Sequence, residues 1–217
     1  MIIDGDMQKE DDEKYELLLG CQIQANLKWH RQVDLLKSRL RTRLAGLTKL
    51  KFIVPFPTRK TITEGLFNSV LLYCLPLFGG LDVGDLNDLQ VMQNQAARIV
   101  TLSPPRSERS IVFDKLKWLT VNQLIFYHSV ISVFKIRSCK EPEYLADILN
   151  KDSRNGRIVI PNLDLRVTQR SFTMRASENW NLIPDIIRKV LKIGVFKKLV
   201  RKWTSQVLRI KLLLLQF

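Results

Sequence analysis

The sequence is poor in the residues that build reactive or metal-binding sites. It has only two histidines, His30 and His128, and three cysteines, Cys21, Cys74 and Cys139. The cysteines are odd in number, far apart and set among apolar residues, with no CxxC. That pattern reads as reduced, buried thiols of an intracellular protein, nuclear or cytoplasmic and not secreted. A zinc site needs clustered Cys and His ligands, so no metal or other cofactor is expected in this chain. A phosphate-cradling Gly-rich loop, an H-E-x-x-H helix and a G-x-S-x-G turn are all missing. Neither histidine has a Cys, Ser or acidic partner at a telling spacing, and each reads as a packing or hydrogen-bonding residue rather than a base.

Long apolar runs are also scarce. The longest, Leu66 to Leu81, is interrupted by Asn68, Ser69 and Pro76, too broken for a membrane span and better suited to a core helix. Met1-Ile2-Ile3-Asp4 lacks the basic-then-apolar pattern of a secretory signal. With 9 Gly and 8 Pro in 217 residues, collagen-like and low-complexity architectures are excluded. Acids thin out along the chain, and none follows Asp185.

Hydrophobic residues and positive charge are what the chain does have. Apolar residues make up 46%, enough for a packed body. The formal net charge of +14 calls for an anionic partner, of which nucleic acid is the commonest. From Lys28 onward, Trp29, Val33, Leu36, Leu40, Leu44 and Leu47 recur at three- and four-residue steps, the stripe of an amphipathic helix. Lys28, Arg31, Lys37, Arg39, Arg41 and Arg43 lie between them, with Asp34 nearly alone as an acid. This predicts one core face and one cationic face able to neutralise phosphates. Arg59, Lys60 and Arg98 extend the set of cations expected to meet nucleic acid. Trp29 reads as core.

The rest of the chain is read as mainly α. Ile2-Ile3 with Asp4-Gly5 reads as a short strand and turn, Asp11-Asp12-Glu13 as a solvated acidic run, and Tyr15 to Ile23 as strand. Pro55 and Pro57 end the basic helix, and Thr58-Arg59-Lys60 opens an apolar, central one that Pro76 and Gly79-Gly80 stop. Asp82 or Asp85 caps a helix carrying Leu86, Leu89, Met92, Ala96 and Ile99, closed by Pro104-Pro105. Ile111 to Trp118 is a short helix. Thr120-Val121-Asn122-Gln123 fits a capping box for a helix through Leu124, Tyr127, Ile131 and Phe134. Pro142 suits the first turn of another helix. Lys151 to Arg157 is a polar loop, and Arg157 to Ile160 a strand. Ser171 to Trp180 is helical, and Pro184 to about Ile210 is a further helix with a weak point at Gly194.

Several of these segments match a known family in order. Tyr15-Glu16-Leu17-Leu18-Leu19-Gly20-Cys21 followed by Leu27-Lys28-Trp29-His30 resembles the "LLG…L.W" segment that follows the palm in non-LTR (LINE-type) retrotransposon reverse transcriptases. Leu71-Leu72-Tyr73-Cys74 and Leu89 to Ile99 (LQVMQNQAARI) resemble that family's thumb helices. Leu116 to Val121 resembles its "L.WL.V" connector and Pro142-Glu143-Tyr144-Leu145 its "P.YL". Phe172, Arg175-Ala176, Trp180-Asn181, Leu182-Ile183-Pro184 and Phe196-Lys197 resemble its closing "F..RA…WN.LP…FK".

The resemblance implies a helical thumb and connector bundle, with an N-terminal β-hairpin or strand remnant and one small β segment near 157–161. The implied division is 1–27 as the remnant of palm and primer-grip strands, 28–103 as thumb, 104–150 as connector and 151–217 as a C-terminal strand-loop with basic helices. The expected partner is the backbone of RNA or of an RNA–DNA or DNA duplex, together with a separate palm segment. The two divalent metals of polymerisation would belong to that palm, because no aromatic-x-Asp-Asp segment occurs here. The chain is therefore expected to be inactive alone, with exposed apolar strand edges where a palm sheet would pair.

Two other readings compete. Ile187, Leu191, Val195, Leu199 and Trp203 alternate with lysines and arginines, as in helices that lie on anionic membranes or bind partner proteins, although a membrane is not the expected partner. The Lys211 to Phe217 tail reads as an unplanned end, which fits a gene fragment without selected function.

Overall fold

The computed structural model describes residues 15–78, 81–151, 156–160 and 171–214, with side chains of the last helix described through Gln206. The segments read as an Ile2-Ile3 strand, an acidic run at Asp11-Asp12-Glu13 and a Gly79-Gly80 stop lie outside these residues. The fold is mainly α with a small antiparallel hairpin. The described residues divide into two compact units, one drawn from 1–75 and 81–122 and the other from 76–80 and 123–217. The junctions expected at 103/104 and 150/151 each fall within a unit.

The first unit opens with β1 (Tyr15–Leu18) and β2 (Cys21–Gln24), paired from Tyr15 against Gln24 to Leu18 against Cys21. The expected N-terminal β-hairpin is present, and it turns at Leu19 and Gly20, which take φ of 50° and 78°. Two consecutive left-handed residues form the tight turn whose twist suits a hairpin, and glycine accepts that backbone without strain. Leu17, Leu18 and Leu19 are left exposed on the hairpin.

Helix α1 (His30–Leu50) buries Val33, Leu36, Leu40, Leu44 and Leu47, the stripe that the spacing predicts, and Trp29 is buried as well. α2 (Phe56–Thr63) starts two residues before Thr58, because Pro57 is tolerated in a first turn where no helical N–H bond is needed. The chain continues through a π-helical turn at Glu64–Asn68 into α3 (Ser69–Leu72). Phe67 and Leu71 are fully buried there, while Leu66 is exposed. The helix is therefore apolar toward the core only. α4 (Val83–Thr101) packs on α1, α2 and α5 (Arg109–Leu116). Ala97 and Val100 meet Val112, Phe113 and Leu116 in one apolar cluster.

α6 (Val121–Cys139) begins beside the expected cap Thr120 and runs into the second unit. There it joins α7 (Glu143–Leu149), α8 (Phe172–Leu182), α9 (Asp185–Arg188) and α10 (Ile193–Leu214). The core is built on Phe134, which stacks on Phe196 at 4.2 Å, with Trp180 tilted against the same ring at 5.8 Å. Phe126 and Trp203 approach to 5.5 Å in that unit. Two expectations change. Within the described residues 157–160 only Ile158 is bridged, and its N–H and C=O also bond to the Asn181 side chain. The helix expected from Pro184 to Ile210 breaks at residues 189–192 rather than at Gly194, which lies in the first turn of α10.

Candidate nucleic-acid interface

α1 and α4 run parallel, joined at their N-terminal ends by contacts between His30 and Lys37 of α1 and carboxylates at the start of α4. His30 meets the carboxylate of Asp85 through Nδ1 at 2.5 Å and that of Asp82 through Nε2 at 3.0 Å. Asp82 stands at the N-terminus of α4, yet makes no capping bond, because its carboxylate is turned to His30. Lys37 continues the seam, 2.9 Å from Asp34 and 3.0 Å from Asp88. The hydrogen bonds that Lys37 donates to Asp34 first and to Asp88 second hold its ammonium above its ordinary pKa. Lys37 is thus neutralised by acids of the protein itself.

Along the helix, the remaining cations separate by register. One residue advances about 100° around the axis. Arg39 and Arg43 therefore share one flank, while Lys37 and Arg41 share another roughly 160° away. The cationic face expected as a single surface is two flanks on either side of the buried stripe. Arg39, Arg41 and Arg43 are exposed. Asp34, Asp85 and Asp88 cluster at Lys37, on the Arg41 side. The Arg39–Arg43 flank is free of these acids. Arg31 is also exposed, with its guanidinium 4.7 Å from the centre of the Tyr15 ring on β1. Lys28 is half-buried and its N–H is taken by Asn26.

The other three candidate cations have structural duties. Arg59 is 6% exposed. Its Nε donates to the carbonyl of Val100 at 2.7 Å, and its Nη1 donates to those of Lys51 and Val54 at 2.6 and 2.8 Å. It caps the C-terminal ends of α1 and α4 from inside, where the helix dipoles favour a cation. It does not join the exposed face. Lys60 is half-buried, 3.8 Å from Glu64 one helical turn on. Arg98 donates to the carbonyl of Ser107 and lines a cleft of about 470 Å³ between the C-terminal ends of α1 and α4, beside Leu44, Thr48, Lys51 and Phe52. Lys51 and Phe52 carry no weight in the sequence pattern because they follow the last turn of the helix.

Two polar residues of α4, Gln90 and Gln93, turn inward. Gln93 Nε2 donates to the carbonyl of Leu119, and Gln90 Oε1 accepts from the N–H of Val121, both at 2.9 Å. Trp118 Nε1 donates to Glu64. The LQVMQNQAARI and L.WL.V segments are therefore locked together by buried amides. In the second unit, Trp180 donates to the carbonyl of Gly156, and Arg137 lies 5.1 Å from the centre of its ring. Arg188 pairs with Asp185 and donates to the carbonyl of Asn181.

Among the described residues no three His, Cys, Asp or Glu side chains are placed to hold a metal ion, and no single helix is long and apolar enough to cross a membrane. No protein-family model, curated protein or solved structure matches the chain.

Proposed function

We propose that this chain is the thumb and connector part of a LINE-type reverse transcriptase, holding the phosphate backbone of a template–primer duplex without a catalytic centre of its own. The observation that carries the reading is the exposed pair Arg39 and Arg43 on α1, which meets no acid among the described residues, with Arg31 exposed on the same helix. Guanidinium groups match phosphate oxygens in a bidentate fashion and bind by releasing counterions. The grip is on the backbone and independent of sequence, because contacts to phosphate position a protein without reading bases. The metal-holding carboxylates of polymerisation belong to a separate palm, for which the exposed Leu17-Leu18-Leu19 edge offers a seat.

The test is fluorescence anisotropy with a labelled RNA–DNA hybrid of about 20 base pairs across a salt series. Contact with four to six phosphates gives a slope of roughly −4 to −5 in log affinity against log salt. Absence of binding, or binding indifferent to salt, overturns the reading. Polymerase activity of the chain alone overturns its second half.

A second reading rests on the second unit. Ile186 and Leu191 are 81% and 91% exposed amid Lys189, Lys192 and Lys198, a composition that anionic lipid rewards and a nucleic-acid backbone does not. Sedimentation with phosphatidylserine vesicles, lost in Leu191→Asp, would favour it.

A further inference from the structure

Cys21 and Cys74 are remote in sequence, and the fold brings them together. Cys21 opens β2 and Cys74 follows α3. Tyr73, the residue before Cys74, donates its hydroxyl to the carbonyl of Leu19 in the hairpin turn. That hydroxyl also stands 3.8 Å from where a side chain on Gly20 would begin. These contacts hold the two segments side by side, and the Cys74 side chain is near enough to act on the Cys21 thiol. Cys21 is 2% exposed, whereas Cys74 is half-buried and open to a small reagent. Cys74 also sits in the left-handed region, with φ of 56°. Cys139 is exposed and belongs to the other unit.

We propose that Cys21 and Cys74 are a redox site that closes to a disulfide when the chain meets a small oxidant such as glutathione disulfide, tying the β-hairpin to the end of α3. The Cys74 thiolate attacks one sulfur of glutathione disulfide, forming a mixed disulfide and releasing one glutathione thiolate. The Cys21 thiolate then attacks Cys74 Sγ, forming the Cys21–Cys74 bond and expelling the second glutathione. Two protein thiols are oxidised, one small disulfide is reduced to two thiols, and the two protons pass to the glutathione thiolates or solvent. Burial, then the Cys74 side chain, pushes the Cys21 thiol up to about 12. Its thiolate is therefore rare at neutral pH, and closure is the slow step, accelerating about tenfold per pH unit.

The experiment uses the full chain with Cys139→Ser, folded, at about pH 8 with glutathione disulfide, followed by alkylation and mass analysis. The expected product has lost two hydrogens, carries no alkyl group, and yields tryptic peptides 15–28 and 61–98 joined to each other. The closed loop of roughly 50 residues raises Tm by about 5–10 °C. Cys74→Ser in the same background shows neither the link nor the shift. A glutathione adduct that persists on Cys74, a covalent dimer, or two thiols that alkylate fully after treatment would each overturn the proposal. Closure at a rate indifferent to pH would overturn Cys21 as the attacking thiol.

Discussion

The guanidinium of Arg59 on α2 reaches the carbonyl of Val100 near the end of α4, 2.7 Å from Nε, while its Nη1 holds the carbonyls of Lys51 and Val54. One buried cation thereby closes the ends of two parallel helices. The carbonyls at a helix C-terminus have no partners within the helix and carry the negative end of its dipole. Removing Arg59 leaves these acceptors in a place that water reaches poorly. Arg59→Ala is expected to cost the first unit about 2–3 kcal/mol, measured by urea unfolding. Arg59→Lys should recover little of it, because an ammonium cannot span three carbonyls in a fixed fork. Full stability in both variants would show that the carbonyls find other donors.

The division of cations on α1 makes a directional prediction. Arg39 and Arg43 meet no acid among the described residues, whereas Lys37 is held by Asp34 and Asp88. Arg39→Ala with Arg43→Ala should lower the magnitude of the salt slope of duplex binding by roughly 1.8, about 0.9 for each lost phosphate contact. Lys37→Ala should leave the slope nearly unchanged and lower thermal stability instead. A slope that responds to Lys37 and not to the arginine pair would place the duplex on the opposite flank.

Gln93 ties the two motif segments of the first unit together. It is 1% exposed, and its amide donates to the Leu119 carbonyl while its Oε1 accepts from Gln90. In Gln93→Leu the volume is nearly kept, but the carbonyl of Leu119 and the amide of Gln90 each lose a buried partner. A loss of about 1–3 kcal/mol in chemical unfolding is expected. A neutral outcome would mean that water enters to satisfy both groups.

These cases mark what the sequence made legible. The buried stripe of α1 and the burial of Trp29 follow from apolar spacing alone, because a helix repeats its faces every 3.6 residues. The same arithmetic separates Arg39 and Arg43 from Arg41, and a reading of cations by number alone misses it. Arg59 could not be assigned locally. Its partners lie at Lys51, Val54 and Val100, and only the fold brings the last within reach. Residues 189–192 break the C-terminal helix for a reason that a propensity scale does not contain. Ile187 and Phe196, nine positions apart, would fall on opposite sides of a continuous helix, yet both are buried in one core. The hold of Asn181 on Ile158 was equally out of reach, since its side chain meets the N–H and the C=O of a residue 23 positions away. The meeting of Cys21 with Cys74 was hidden for a related reason, as spacing along the chain says nothing about a turn and a helix end that fold together.

His128 gives the second unit a pH dependence with a definite sign. Burial lowers its pKa first, and the nearby Arg201, Lys135 and Lys197 lower it further. The folded unit therefore holds the imidazole neutral, while the unfolded chain protonates it at its ordinary value near 6.5. Between the depressed folded value and 6.5, the unfolded state binds more protons, so stability rises with pH across that window. The contribution is complete above 6.5 and is lost as pH falls through the window toward the folded pKa. Thermal melts from pH 7 down to about 5 should show Tm falling for the native chain. His128→Asn removes the titrating group, and the fall should become shallower by the share His128 carries. Parallel curves for the two proteins would place the acid sensitivity elsewhere.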